Sequence, residues 1–380
     1  MQLTGMTISV IRTEQDFLNL QEEWEELEVQ TSNLTIFQTW IFQYYTWRIF
    51  ADKVDLNLIL VREKTGRLVG CAPLGSITQK VGPVKLKLLG FCCIKYCDFQ
   101  NFIVHAGYET QVCSALADWF TANRKKWDVI QFKLLREDFT IIDQKPLFIE
   151  RLGNSIKMDN IGQAPYITIQ DDWENFQNAL SSKRAKSVRY EVKNLFRHFE
   201  GEFKGCDRGH ELDNALTAMM DLHQKRIRQK HQLGAFATEQ VRNGFRRLVH
   251  ELEKRDYITI HTIESKDQTI AAIGTFIYNK KILYFQGGFD PEYFRLSPGK
   301  VVLAKRITEA IENKAREFDF LFGDEDYKFA WSTGQRQIYQ LEIKTGSAKA
   351  FIYKIFQGLQ NKFLQSERMR ALYFRLRPGS

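Results

Sequence analysis

The stretch Tyr284–Lys328, YFQGGFDPEYFRLSPGKVVLAKRITEAIENKAREFDFLFGDEDYK, reads as strand, loop, helix, strand and acidic turn. A strand over Lys281–Phe289 carries Gly287 and Gly288, positions without side chains where another backbone or a ligand approaches closely. The loop closes with Ser297-Pro298-Gly299-Lys300. The spacing of Leu303, Ile307, Ala310 and Ile311 then predicts a helix over Lys300–Arg316. Phe318–Phe322 reads as a short buried strand, ended by Gly323 and followed by Asp324-Glu325-Asp326-Tyr327-Lys328. A helix start offers unpaired backbone N–H groups and the positive end of a dipole, so Ser297–Lys300 suits phosphate or pyrophosphate. The plainer alternative is an ordinary βα turn with proline near the helix start.

The order and spacing of several segments resemble the second half of the CelD-like acetyltransferases. They are Gly288-Phe289-Asp290-Pro291, Ser297-Pro298-Gly299, Phe318-Asp319-Phe320, Gly323-Asp324-Glu325, Tyr327-Lys328 and Trp331. That family is a branch of the GNAT superfamily related to the FemABX aminoacyltransferases. Leu222-His223 with Arg226, then Gly234 and Phe236-Ala237, resembles another of its segments. The superfamily's pyrophosphate loop, Q/R-x-x-G-x-G/A, is half present: Arg295 and Gly299 fall on it, Pro298 and Lys300 depart from it.

The resemblance implies an α/β (α+β) chain of two tandem GNAT-like domains, each a mixed, mostly antiparallel sheet flanked by helices. It implies an acyltransferase that moves an acetyl or other acyl group from acyl-CoA to an amine or sugar acceptor, in polysaccharide or envelope synthesis. Acetyl-CoA or another acyl-CoA would be co-substrate, held by Gly287, Gly288, Phe289, Arg295, Ser297, Pro298, Gly299 and Lys300. Such a transfer needs a donor to polarise the carbonyl, a base for the acceptor's proton and an acid for the leaving thiolate. Tyr327 takes the acid's place. Asp290, Asp324, Glu325 and His223 compete for the base, and Arg226, Asp324, Lys328 and Trp331 would line the acceptor cleft. Two other readings stand beside this one: a FemABX-like aminoacyltransferase using aminoacyl-tRNA, and a non-catalytic scaffold in envelope synthesis.

Composition sets outer bounds. The chain has 380 residues, 44% of them hydrophobic, which predicts a globular protein of about two domains. The formal charge of +8 favours anionic partners such as CoA, tRNA or an acidic membrane surface. No apolar run approaches the ~20 residues that span a bilayer, and no secretory signal opens the sequence, so a cytoplasmic location is expected. Cys71, Cys92, Cys93, Cys97, Cys113 and Cys206 show no paired C-x-x-C spacing and no histidine at ligand spacing. Buried free thiols are expected there, and no metal.

Along the chain, Thr13–Val29 and Phe37–Phe50 read as helices, the first with Thr13 and Asp16 in a capping-box arrangement. Leu56–Glu63 and Arg67–Leu74 read as a hairpin, followed by strands near Val84–Leu89 and Asn101–Val104. A helix over Gln111–Lys125 and a strand over Val129–Leu134 complete a first domain, residues 1–160, a degenerate GNAT-like unit that shapes the cleft. Residues 161–350 form the catalytic domain. It begins with helical turns at Trp173, Phe176 and Leu180, then Ser182–Phe196 with Lys186, Arg189, Lys193 and Arg197 along one stripe. That stripe either reads phosphates or is a solvated face. Helices over Leu212–Arg228 and around Val241–Leu252 lead to an antiparallel meander, Tyr257–Ile263, Thr269–Tyr278 and Lys281–Phe289. After a strand at Gln337–Lys344, residues 351–380 form an apolar, basic tail. The tail either docks on the first domain or lies on an anionic membrane.

Overall fold

A computed structural model describes residues 5–81, 84–169, 182–229 and 234–365. The helical turns expected at Trp173, Phe176 and Leu180, and Arg368, Arg370, Arg375 and Arg377 of the tail, lie outside them. The chain divides into two compact units, Met1–Gly162 with Gln337–Ser380, and Gln163–Arg336. The sequence reading drew its boundaries after residues 160 and 350; residues 337–350 instead group with the N-terminal residues.

In the first unit, β1 (Thr7–Ile11), β2 (Asp55–Arg62), β3 (Leu68–Val81) and β4 (Val84–Phe91) pair antiparallel in succession. β5 (Ile103–Val104) pairs with β3. β6 (Val129–Arg136) lies parallel to β4 and takes the residues after Gln337 as its other neighbour. The expected first helix is two, α1 (Glu14–Asn19) and α2 (Gln21–Val29), with Thr13 accepting from Asp16 N–H at the start. α3 (Trp40–Ile49), α4 (Glu109–Asn123), α5 (Thr140–Asp143) and α6 (Lys145–Leu152) follow. The aromatic stripe is core: Phe17, Trp24, Trp40, Tyr44 and Trp47 pack on one another. All six cysteines are buried free thiols.

The second unit is entered within β7 (Ile156–Thr168) and left within a strand over Gly334–Ile343. It contains α7 (Ser182–His198), β8 (Glu202–Cys206), α8 (Gly209–Gln229), α9 (Glu239–Glu253), β9 (Ile258–Glu264), β10 (Thr269–Tyr278) and β11 (Lys281–Phe289). α10 (Pro298–Glu312), β12 (Glu317–Asp319) and α11 (Asp326–Phe329) complete it. The late strand is β13, and the tail helix of the first unit is α12 (Ala348–Gln365). Strand order is β7-β12-β11-β10-β9-β8. The β9–β10–β11 meander is antiparallel as expected, and α10 carries the chain over to β12, parallel to β11.

Alternation along β10 assigns the two faces. A Cβ on Gly274 would meet Met219 Sδ at 2.8 Å, which puts α8 on one side. Thr275, next along, accepts from Arg306 Nε at 3.2 Å, which puts α10 on the other. α7 joins α10: Val188 and Leu195 share a core with Val301, Ile307 and Phe318, while Lys186, Arg189, Lys193 and Arg197 stay exposed.

The same sequence of elements occurs in both units. A meander, a helix and a parallel strand form β2-β3-β4-α4-β6 in one and β9-β10-β11-α10-β12 in the other. The units differ at the parallel pair. A Cβ on Gly90 of β4 would lie 3.0 Å from the Gln131 carbonyl of β6, so those strands stay closed. In the second unit they part.

Candidate active site

β11 and β12 are in register only at Lys281–Glu317, Ile282–Phe318 and Leu283–Asp319. Beyond that, the chain after β12 stays with β7, where Phe320 N–H donates to the Pro165 carbonyl at 3.0 Å. β11 stays with β10 as far as the Ala271–Phe289 pair. Its register slips once, Gly274 opposing Gln286 and Thr275 opposing Tyr284, so Phe285 is an extra residue in β11. Such a bulge bends a strand and re-aims its side chains. From Tyr284 onward no strand among the described residues pairs with β11 on the β12 side.

A cavity of about 210 Å³ lies along that edge. Gly287, Gly288, Phe289 and Tyr284 of β11 line it, with Ser297, Pro298, Gly299 and Lys300 from the start of α10. Arg226 of α8, Tyr327 of α11 and Trp331 line it as well, with Ala272, Ile273, Val302, Leu303 and Phe294. The lining is mainly apolar. Two glycines have packing reasons of their own. A Cβ at Gly288 would lie 2.5 Å from the His223 nitrogen, because α8 crosses directly over that strand. One at Gly299 would lie 2.9 Å from the Phe289 ring, so the missing side chain lets β11 and α10 close together.

The expected residues divide by position. Gly287, Gly288, Phe289, Ser297, Pro298, Gly299, Lys300, Arg226, Tyr327 and Trp331 all border the cavity. Ser297 takes a left-handed conformation, φ 52°, and turns the chain into α10. Lys300 is not a free cation: its Nζ lies 2.9 Å from Glu191 of α7. Arg295 is exposed and off the cavity, as is Asp324. Asp290 caps the turn after β11, accepting from Glu292 N–H, and pairs with Lys225 at 2.7 Å. Glu325 and Lys328 pair with each other at 2.9 Å, and buried Lys328 also donates to the Phe322 carbonyl. His223 is buried behind β11, its Nδ1 2.7 Å from Gln286 Nε2, and burial keeps its pKa below the usual value.

Tyr284 had no role in the sequence reading. Its hydroxyl stands 2.7 Å from the Cβ position of Gly287 and faces Tyr327 across the parted strands. The bulge at Phe285 is what aims it there, and no residue pattern announces that bulge. Burial, then the facing Tyr284, pushes the Tyr327 hydroxyl well above the ordinary tyrosine range. Tyr327 therefore keeps its proton at any working pH. Among the described residues no cluster of His, Cys, Asp or Glu has metal-ligand geometry.

Residues 182–329 match the family model of the acetyltransferase (GNAT) domain. The match runs from α7 to α11 of the second unit. No curated protein matches the chain by sequence. A solved structure of FemX aligns over 87% of this chain and 96% of its own, at 11% identity and TM-score 0.56. The C-terminal domain of a putative lysylphosphatidylglycerol synthetase from Agrobacterium fabrum aligns over 90% and 95%, at 9% identity and TM-score 0.51. A tandem GNAT protein from the clavulanic acid biosynthesis pathway aligns over 90% and 99%, at 10% identity and TM-score 0.50. At these identities the likeness is one of fold, the mixed α/β fold of tandem GNAT proteins, and it spans both units.

Proposed function

We propose that residues 163–336 transfer an acyl group from acyl-CoA to an amine or sugar acceptor. One observation carries the reading: the parting of β11 from β12 leaves a strand edge bare beside the start of α10, with a hydroxyl-bearing residue, Tyr327, opposite. The narrow, mainly apolar space along Gly287–Phe289 fits a thin thioester arm, and the Ser297–Lys300 turn supports a phosphate group at its mouth. Acyl-CoA supplies an activated acyl carbon. The acyl–sulfur bond breaks, a bond to the acceptor's nitrogen or oxygen forms, and the acceptor's proton leaves. β11 backbone N–H groups polarise the carbonyl, and Tyr327 gives its proton to the thiolate. No side chain is assigned as the base: Asp290 and Glu325 are held in ion pairs and His223 is buried behind β11, off the cavity, so the acceptor's proton passes to water.

The CelD-like motif supports placement in polysaccharide or envelope synthesis, and use of acyl-CoA supports a cytoplasmic site of action. A second reading is aminoacyl transfer from tRNA. It draws on the likeness to FemX and on the exposed cations of α7, Lys186, Arg189, Lys193 and Arg197. Peripheral membrane contact through α12 is supported by exposed Phe351, Ile352 and Ile355 beside Lys349 and Lys354. No helix among the described residues is long and apolar enough to cross a membrane.

The reading is tested by following thiol release from acetyl-, butyryl- and octanoyl-CoA in the presence of amino sugars, amino acids and polyamines. Acceptor-dependent release with at least one pair is expected. Thiol release with none, together with aminoacyl transfer from charged tRNA, would move the assignment to the second reading.

A further inference from the structure

Within the acyl-transfer reading, the cavity's two cations stand in different states. Lys300 is matched by Glu191 at 2.9 Å. Arg226 has no carboxylate within 4.0 Å among the described residues, is half-buried, and lies with its Cζ 5.4 Å from the centre of the Phe289 ring. A guanidinium partly withdrawn from water against an aromatic face has lost hydration that the ring alone does not replace. Its planar fork of donors suits a carboxylate or phosphate bound in two places at once.

The side from which Arg226 arrives decides whose anion it meets. It extends from α8, on the face of the sheet opposite α10, and both helices reach the cavity at the bare edge of β11. The donor's phosphates belong at the α10 end, so the α8 end is left to the acceptor. We infer that the acceptor carries an anionic group, a carboxylate or a phosphate, and that Arg226 binds it and so orients the attacking amine or hydroxyl toward the thioester. The acceptor is then an amino acid, a peptide C-terminus or a phosphorylated amino sugar rather than a neutral sugar or a polyamine.

Calorimetric titration in the presence of CoA tests this with matched probes. N-acetylglycine is set against N-acetylglycinamide, and N-acetylglucosamine 6-phosphate against N-acetylglucosamine. The wild-type protein is expected to bind at least one anionic member about tenfold or more tightly than its neutral partner, the worth of a charge-assisted hydrogen bond. The pair that responds separates carboxylate from phosphate. Arg226→Gln should erase the preference, Arg226→Lys should keep part of it, and acetyl-CoA affinity should stay unchanged in both. Absence of any preference in the wild type, including absence of binding, overturns the inference. So does a tenfold loss of acetyl-CoA affinity in Arg226→Gln, which would give the cation to the donor. Failure of acetyl-CoA to bind the wild type is read in the same titration and counts against acyl transfer itself.

Discussion

Tyr327 and Tyr284 face one another where β11 and β12 separate, and each is half-buried. Tyr327→Phe keeps the ring in its packing and removes only the hydroxyl proton. If that proton goes to the leaving thiolate, kcat falls by about two to four orders of magnitude, the usual worth of general acid–base help. Acetyl-CoA affinity and Tm should hardly move. An unchanged kcat with a lower Tm would make Tyr327 a packing residue. Because its hydroxyl titrates far above neutrality, the wild-type rate should show no alkaline fall from this group up to about pH 10, the ordinary tyrosine value. Gly299 was legible from the loop at a helix start, and Tyr327 from the family resemblance alone. Tyr284 was not, because a one-residue bulge reverses which way a strand side chain points. Arg295, Asp290 and Glu325 were placed from motif position. The fold directs the first to solvent and ties the other two to Lys225 and Lys328.

At the scale of elements, the meander and its crossover helix were readable because strand alternation and helical spacing are strong over ten or so residues. β8 was missed because Glu202–Cys206 is an edge strand with one buried side chain, Cys206. The split between α1 and α2 at Leu20 leaves the apolar spacing intact and so is silent in the sequence. α8 packs over β11 through His223, and α10 over β9 and β10 through His261, which lies 2.5 Å from Glu309. Burial holds both histidines below the ordinary pKa, the hydrogen bond with Glu309 opposing it for His261. The unfolded chain therefore binds protons that the folded one refuses. Their stability contribution is complete above about pH 6.5 and is lost as pH falls through that value toward the depressed folded pKa. Thermal melts from pH 7.5 to 5.5 should show falling Tm, and His223→Gln should flatten part of that slope. An identical slope in the variant would mean that His223 titrates normally.

At the scale of the molecule, the two units repeat one plan with no shared residue pattern, since a fold fixes where apolar residues fall and not which they are. The first unit is built from two separated parts of the chain. That organisation is invisible to a reading that moves along the sequence. Ile338, Leu341 and Ile343 pair with β6, and Tyr353 of α12 packs on Leu86, Leu88 and Val129. A fragment of residues 161–380 would leave those apolar side chains without partners, so it should aggregate or fold poorly on expression. A soluble fragment with full activity would contradict this.

The central claim is that acyl-CoA lies along Gly287–Phe289 with its phosphates at the start of α10, and titrating acetyl-CoA into wild type, Gly299→Ala and Gly299→Asp tests it most directly. The alanine variant carries the contact with the Phe289 ring without new charge, so it isolates the packing effect. The account predicts binding in the wild type, a modest loss in Gly299→Ala, and loss of a further tenfold or more in Gly299→Asp, about 1.4 kcal/mol or greater. Equal affinity in the alanine and aspartate variants would contradict it.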